Sequence, residues 1–126
     1  MQSVHDFMGE FLRARVIEEE ALQSARLPFR KKFFSPDCQW DSRSRSLEKL
    51  RSEKVSSVEF SPTGPVATTS YRNPFSKRNS GTVLFMRYHL MAKDDGWIIR
   101  VAEMGCVACE GVGDATCPAC KGRHWL

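Results

Sequence analysis

The body of this chain is poor in cysteine, since Cys38 is the only one of the five cysteines that lies before residue 106. A chain of 126 residues is long enough to bury a hydrophobic core, so the body needs no disulfides. It contains no run of about 18 apolar residues that could span a membrane. Its acidic N-terminal stretch argues against a signal peptide. We therefore expect a protein of the cytoplasm, where thiols stay reduced.

The charged residues are unevenly distributed, although the net charge is only +4. Residues 1–25 contain five acidic and two basic side chains, whereas residues 26–54 contain nine basic and four acidic ones. This asymmetry indicates either a solvated helix surface or a site for an anionic partner such as nucleic acid. The basic side chains concerned include Arg30, Lys31, Lys32, Arg43, Arg45, Lys49, Arg51 and Lys54. The C-terminal region lacks the basic and stacking residues of a nucleic-acid-binding knuckle, so we favour the first interpretation.

Apolar residues recur at helical spacing over residues 3–26, which predicts one long amphipathic helix. Ser3 is a suitable N-cap for this helix. The helix is expected to end before Pro28, because the residue that precedes a proline is disfavoured in helical geometry. A short second helix is predicted over residues 28–34, and a third, largely polar helix over residues 42–54.

Four β-strands are predicted in the second half of the body, and the sequence KDDG predicts a tight turn between the last two. The strands are residues 55–60, 66–72, 82–92 and 97–104. Side chains of the third strand alternate between two partly apolar faces. One face carries Leu84, Met86, Tyr88 and Leu90, and the other carries Val83, Phe85, Arg87, His89 and Met91. We therefore expect this strand to be central and at least partly covered on both sides.

Helices followed by an antiparallel meander indicate an α+β fold, with the helices packed on one face of a curved sheet. This element order, with FRKKFFSPDCQW after the first helix and GWIIRVAEM in the last strand, resembles the nuclear transport factor 2-like superfamily. The resemblance implies a cone in which a bent sheet wraps around the long helix and encloses a pocket. It also implies the functions found on that scaffold, namely small-molecule enzymes, transport adaptors, immunity proteins of bacterial toxin systems and non-catalytic binders. A homodimer through an exposed sheet face is a further option.

A few side chains of the body are candidates for acid–base or nucleophilic chemistry. They are Asp37, Cys38, Trp40 and Asp41 after the second helix, and Tyr88 and His89 on the third strand. The structural interpretation is that Asp37 caps a turn and that Cys38 and Trp40 are core residues. His89 is then half-exposed or hydrogen-bonded, although with Arg87 it could also line a pocket for an anionic ligand. We favour the structural interpretation and name no catalytic residue.

The C-terminal region contains two C-x-x-C pairs that are separated by seven residues. The four cysteines are Cys106, Cys109, Cys117 and Cys120. Each pair can aim two sulfurs at one point, and two pairs supply the tetrahedron of thiolates that Zn²⁺ prefers. Gly111 and Gly122 follow at matching positions, where glycine can adopt a positive φ without strain. We predict one structural zinc ion per chain, because about 20 residues cannot bury a core of their own and a four-cysteine site is closed to substrate.

The sequence CVACEGVG at residues 106–113 resembles the C-x-x-C-x-G-x-G repeat of the DnaJ-type zinc finger. The second half, CPACKGRH at residues 117–124, matches the repeat except that His124 stands where the repeat has glycine. The resemblance implies zinc ligation by the same four cysteines but no chaperone role, since only one pair of repeats is present. The alternatives are a redox-active cysteine pair, which would need a helix N-terminus, and His124 as a replacement ligand.

We interpret the chain as an α+β domain over residues 1–104, followed by a zinc knuckle over residues 105–126 that docks beside the last strand. The expected function is non-catalytic binding of a protein or a small ligand, with toxin immunity as one variety. The alternatives are an isomerase- or dehydratase-like enzyme and a nucleic-acid-binding zinc protein. A binder's pocket should be shallow or filled by side chains such as Phe85, Met86 and Trp97. An enzyme's pocket should be open, with a carboxylate or histidine of perturbed pKa at its base.

Overall fold

The structure is a computed structural model, and it describes residues 2–21, 31–38, 47–73 and 82–105. The elements are α1 (Val4–Ala21), α2 (Leu47–Ser52), β1 (Lys54–Ser61), β2 (Gly64–Asn73), β3 (Thr82–Lys93) and β4 (Gly96–Met104). The strands form one antiparallel sheet in the order β1-β2-β3-β4, which confirms the predicted α+β class and the predicted meander. Within the described ranges, no helix is both long and apolar enough to cross a membrane.

Helix α1 begins at a capping residue and buries one stripe of apolar side chains. The N–H of Asp6 donates to Ser3 Oγ at 3.0 Å, so Ser3 is the N-cap that the sequence predicted. Four buried residues occupy the i, i+3, i+4 and i+7 positions of one helix face, namely Val4, Phe7, Met8 and Phe11. Burial of each such side chain contributes about 1.5–3 kcal/mol relative to exposure, so this stripe holds α1 on the sheet.

Tight turns join β1 to β2 and β3 to β4, and each includes a residue with positive φ. Between β1 and β2, Gly64 has a φ of 128°, and a Cβ there would lie 2.5 Å from the carbonyl oxygen of Leu90. Only glycine fits at this position, because the added carbon would collide with the backbone of β3. Between β3 and β4, Asp94 has a φ of 53°, which aspartate tolerates. The tight turn predicted from KDDG is confirmed.

The third predicted helix ends two residues earlier than its sequence indicated. Helix α2 covers Leu47–Ser52, and residues 42–46 of the prediction lie outside the described ranges. At its C-terminal end, the N–H of Glu53 bonds to the carbonyl oxygen of Leu50 at 3.2 Å and closes the last turn. Lys54 already pairs with Ser70 of β2. The helix therefore ends where strand β1 begins, although the polar sequence continues to residue 54.

The second predicted helix also ends early, because its last residue joins the sheet. Residues 31–33 are helical, whereas Phe34 forms a parallel bridge with Ile99 of β4. The N–H of Ser35 then donates to the carbonyl oxygen of Ile99 at 2.8 Å. Strand β4 lies at the edge of the sheet, where backbone groups need partners from outside the sheet, and this short segment supplies some of them. Residues 22–30, which hold the predicted break at Pro28, lie outside the described ranges.

The core lies between α1 and one face of the sheet, which we call the inner face. On β3 this face carries Leu84, Met86, Tyr88 and Leu90, all buried as the alternating pattern predicted. The Phe11 ring of α1 contacts the Tyr88 ring edge to face, with centroids 5.1 Å apart, and it packs in the same way on Phe33 and Phe34. Such pairs add about 0.5–1.5 kcal/mol each to the area that they bury.

Candidate functional site

The face of the sheet opposite α1, which we call the outer face, carries both apolar and charged side chains. Its members on β3 and β4 are Val83, Phe85, Arg87, His89, Met91, Ile98, Val101 and Glu103. Phe85 is 41% exposed and Met91 is 36% exposed. The sequence predicted partial cover on both sides of β3. The described helices pack on the inner face, and on the outer face Ile98, opposite Met91, is 2% exposed. Large apolar side chains grouped on an accessible surface are typical of an interaction site.

An ion cluster lies at the centre of the outer face. Arg87 Nε donates to Glu103 Oε1 at 2.9 Å, and His89 Nε2 forms a hydrogen bond with the same carboxylate oxygen. The ladder brings these groups together, because Arg87 is directly opposite Glu103 and His89 is two residues further along β3. The three side chains are between about a quarter and a third exposed, so bulk water screens the cluster only in part.

The protonation of Glu103 reflects its two partners. Burial raises the pKa of this carboxyl, but the hydrogen bonds and charges of Arg87 and His89 outweigh burial and hold the pKa below its usual range. Arg87 and His89 were suggested to bind an anionic ligand. In the structure, their anionic partner is the Glu103 carboxylate. The interpretation of His89 as a half-buried, hydrogen-bonded residue is confirmed.

A second polar cluster, which was not predicted from the sequence, is buried on the inner face. The Glu53 carboxylate accepts hydrogen bonds from Tyr88 Oη at 2.8 Å and from Thr69 Oγ1, both at Oε2. Thr69 lies opposite Met86 and Tyr88 opposite Ala67, so the two hydroxyls are diagonal neighbours on the inner face. Buried carboxylates are stable only when such donors satisfy them. In the sequence, Glu53 lies within the predicted polar helix over residues 42–54, and nothing there marks it as a buried residue.

The predicted catalytic candidates do not form one site. Asp37 is exposed in a turn, where its N–H donates to Ser35 Oγ at 3.4 Å. Cys38 is buried among apolar residues, which fits its interpretation as a core residue. Tyr88 and His89 lie on opposite faces of β3, as predicted, so they cannot act on the same substrate. The remaining two candidates, Trp40 and Asp41, lie outside the described ranges.

Two of the three side chains that were expected to fill a pocket lie in the core or pack against it. Met86 is buried in the core, and Trp97 is partly buried with its Nε1–H donating to the carbonyl oxygen of Gln2 at 2.8 Å. Phe85 does not, because its position on β3 directs it to the outer face. The expectation for Phe85 was wrong, since side chains one residue apart on a strand point to opposite faces.

One basic residue of the stretch 26–54 forms an ion pair with an acidic residue of α1. Lys32 Nζ lies 2.6 Å from Glu10 Oε1, and its ammonium is 5.4 Å from the centroid of the Phe33 ring. The hydrogen bond from Lys32 is the largest of the effects that lower the pKa of Glu10. Lys31, Arg51 and Lys54 are exposed. The side chains of Arg30, Arg43, Arg45 and Lys49 lie outside the described part of the chain.

The predicted zinc ligands also lie outside the described residues. Gly105 is the last residue that the structure describes, and Cys106, Cys109, Cys117 and Cys120 all follow it. The same holds for Gly111, Gly122 and His124. Among the described residues, no group of three or more histidines, cysteines and acidic residues is placed to hold a metal ion. Comparison of the sequence with protein-family models, with curated proteins and with solved structures found no match.

Proposed function

We propose that this protein is a non-catalytic binding protein and that a partner protein docks on the outer face of its sheet. The observation that carries the proposal is the contrast between the two faces of β3. Aromatic and aliphatic side chains fill the inner face, and Tyr88 and Phe11 are fully buried there. Four of the six large apolar side chains that the described residues expose lie on the outer face, around the ion cluster of Arg87, His89 and Glu103, and the other two are Ile17 and Phe60.

A protein suits this surface better than a small molecule does. Small ligands bind in concave pockets that enclose most of their surface, whereas the outer face is the side of a pleated sheet. Phe85, Met91 and Arg87 belong to the residue types that are enriched in protein interfaces. Glu103 holds Arg87 in place before binding, so less side-chain entropy is lost when the partner arrives.

Site-specific photo-cross-linking in the cells that produce the protein tests this proposal. The full-length chain carries p-benzoylphenylalanine in place of Met91, and the control carries it in place of Ile17, which is 63% exposed on α1. We expect a discrete cross-linked protein from position 91 that is absent from position 17. Its identity comes from mass spectrometry, and direct titration of the purified partner follows. The same cross-links from both positions, or none from position 91, would contradict the proposal.

The second part of the proposal is a structural zinc ion held by Cys106, Cys109, Cys117 and Cys120. It is supported by the spacing of these cysteines and by the resemblance to the DnaJ-type finger. Metal analysis of protein purified without chelator should give about one zinc per chain, because a four-thiolate site binds zinc tightly. Cys106→Ser should abolish stoichiometric zinc, and Cys38→Ala should not, because Cys38 belongs to the core. Zinc well below one per chain in the unaltered protein would contradict this part.

The resemblance to the nuclear transport factor 2-like superfamily supports three finer proposals. The sheet curves around α1 as a cone, and the partner belongs to the class of toxins that immunity proteins bind. A homodimer through the outer face is the alternative to a separate partner. Zinc-bound thiolates also favour the reducing cytoplasm as the compartment. Analytical ultracentrifugation tests the homodimer: a concentration-independent monomer would exclude it.

One observation favours the alternative function, a small-molecule enzyme. Glu53 is a buried carboxylate within hydrogen-bonding distance of two hydroxyl groups, and such a group can act as an acid or base when a substrate reaches it. Chemical-shift mapping with a library of small polar fragments distinguishes the two functions. Shift changes that cluster at Thr69 and Tyr88 would favour the enzyme. The binding function predicts no fragment at that position.

A further inference from the structure

The outer face has two apolar ends, and one of them lies beside the residue where the described chain stops. Val83 and Phe85 form the first end, and the ion cluster separates it from a second end that consists of the exposed Met91 and Val101 and the buried Ile98. We propose that the C-terminal segment, residues 106–126, docks on the first end and covers Val83 and Phe85. The second end is then the part that remains for the partner. The docking does not depend on whether the segment binds zinc.

The exit of the chain from the sheet points to this end. The N–H of Gly105 donates to the carbonyl oxygen of Phe85 at 2.8 Å, and a Cβ on Gly105 would lie 3.0 Å from the same oxygen. Gly105 is itself buried, and it has no side chain that could cover the Phe85 ring, which is 41% exposed. The C-terminal segment therefore starts directly beside an apolar surface that β4 leaves open.

The length and composition of the segment suit this surface. The chain continues for 21 residues after Gly105, that is, from 106 to 126. Its large apolar residues are Val107, Val112, Trp125 and Leu126. Arg72 is exposed opposite Val83, and the segment carries Glu110 and Asp114, which can complement this cation. Val83 is a diagonal neighbour of position 105, about 7–8 Å away, so the segment reaches it without a linker.

Tethering favours the chain's own segment over a separate molecule. A segment attached within a few residues of its docking surface has an effective concentration of about a millimolar or more. A second copy of the chain, at lower concentration, competes poorly for the same surface. Met91 lies six residues further along β3 than Phe85, or about 20 Å, so the segment's contact with the first end leaves the exposed Met91 accessible.

Cross-linking within the purified full-length chain tests the inference. One variant carries p-benzoylphenylalanine in place of Phe85 and the matched control carries it in place of Met91, a residue of similar exposure on the same face. We expect intrachain cross-links from position 85 to peptides within residues 106–126, in several-fold higher yield than from position 91. Equal yields, no cross-link from position 85, or cross-links from it to a second chain or only to residues 2–104 would overturn the inference.

Trypsin provides a second readout that needs no unnatural residue. The segment contains two cleavage sites, after Lys121 and after Arg123. Phe85→Ser should accelerate cleavage at these sites several-fold, whereas Met91→Ser should leave the rate unchanged, and equal rates in the two variants would count against docking. Repeating both experiments after zinc chelation separates the two proposals. Cross-links that survive the loss of zinc support docking without metal. If the purified protein contains no zinc and docking is intact, only the zinc proposal is contradicted.

Discussion

Leu90 and Met91 are neighbours on β3, yet they lie in opposite environments. Leu90 is 1% exposed on the inner face, against α1, while Met91 is 36% exposed on the outer face. The same contrast separates the two charged clusters. Glu53 is buried and accepts hydrogen bonds from Tyr88 and Thr69, whereas Glu103 is a quarter exposed and pairs with Arg87 and His89.

The contrast indicates which parts of the molecule stabilise it and which are available for binding. The inner face is closed by α1, so a change there must be accommodated by packed neighbours. The exposed side chains of the outer face are not part of the core cluster, so a change at one of them alters the surface and leaves the fold intact. Stability and binding should therefore respond to different substitutions, even when the substituted residues are adjacent in sequence.

Truncation of the two neighbours on β3 should give the largest difference. Leu90→Ala should lower the free energy of unfolding by about 2–5 kcal/mol, because it leaves a cavity against α1. Met91→Ala should change it by no more than about 0.5 kcal/mol, as expected for a surface position. Urea denaturation of both full-length variants measures the two values. Similar losses would mean that the outer face is packed as firmly as the inner one.

The buried cluster at Glu53 should respond to loss of either hydroxyl donor. Tyr88→Phe removes one hydrogen bond to a buried carboxylate and should destabilise the protein by about 1–3 kcal/mol. Thr69→Val, which removes the other donor, should have a similar effect. Because both donors bond to the same oxygen, the double variant should depart from additivity by more than about 0.5 kcal/mol. Strict additivity in a double-mutant cycle would indicate that the two hydroxyls act independently.

The surface cluster at Glu103 should give the smallest effect, and it should depend on pH. The pKa of Glu103 is lowered in the folded state, so its contribution to stability is present above the unfolded pKa of about 4.3 and is lost as the pH falls through the folded pKa. Glu103→Gln should therefore cost less than about 1 kcal/mol at neutral pH and nothing in acid, since the pair is partly solvated. Thermal unfolding across this range measures the difference. Glu59→Gln, at an exposed glutamate of β1, is the control.

Much of the fold could be predicted from local sequence patterns. The strands, the turn at KDDG and the buried face of β3 follow from alternation and turn residues, which act over a few neighbouring positions. The helix ends were predicted less well, because pairing with distant strands decided them. Lys54 joins β1 opposite Ser70, and Phe34 joins β4 at Ile99, and neither partner is near in sequence.

The ion cluster could not be predicted, because it depends on one irregularity of the ladder. Counted from the turn, a regular hairpin would place Glu103 opposite Met86, on the inner face. The register shifts between His89 and Leu90, and this bulge moves Glu103 opposite Arg87. A single extra residue thus transfers a carboxylate from the core side to the surface. The Glu53 cluster was not predicted either, because its two donors, Thr69 on β2 and Tyr88 on β3, are distant from Glu53 in sequence.

Binding of the cross-linked partner to matched variants tests most directly whether the outer face is the working surface. Isothermal titration of the purified partner compares the unaltered full-length protein with Val101→Ser, on the outer face, and with Ile17→Ser, an exposed apolar position on α1. We predict that Val101→Ser weakens binding by about tenfold, as expected for loss of about 1.4 kcal/mol at an interface, and that Ile17→Ser leaves the Kd unchanged. Unchanged binding by Val101→Ser together with weaker binding by Ile17→Ser would contradict the account.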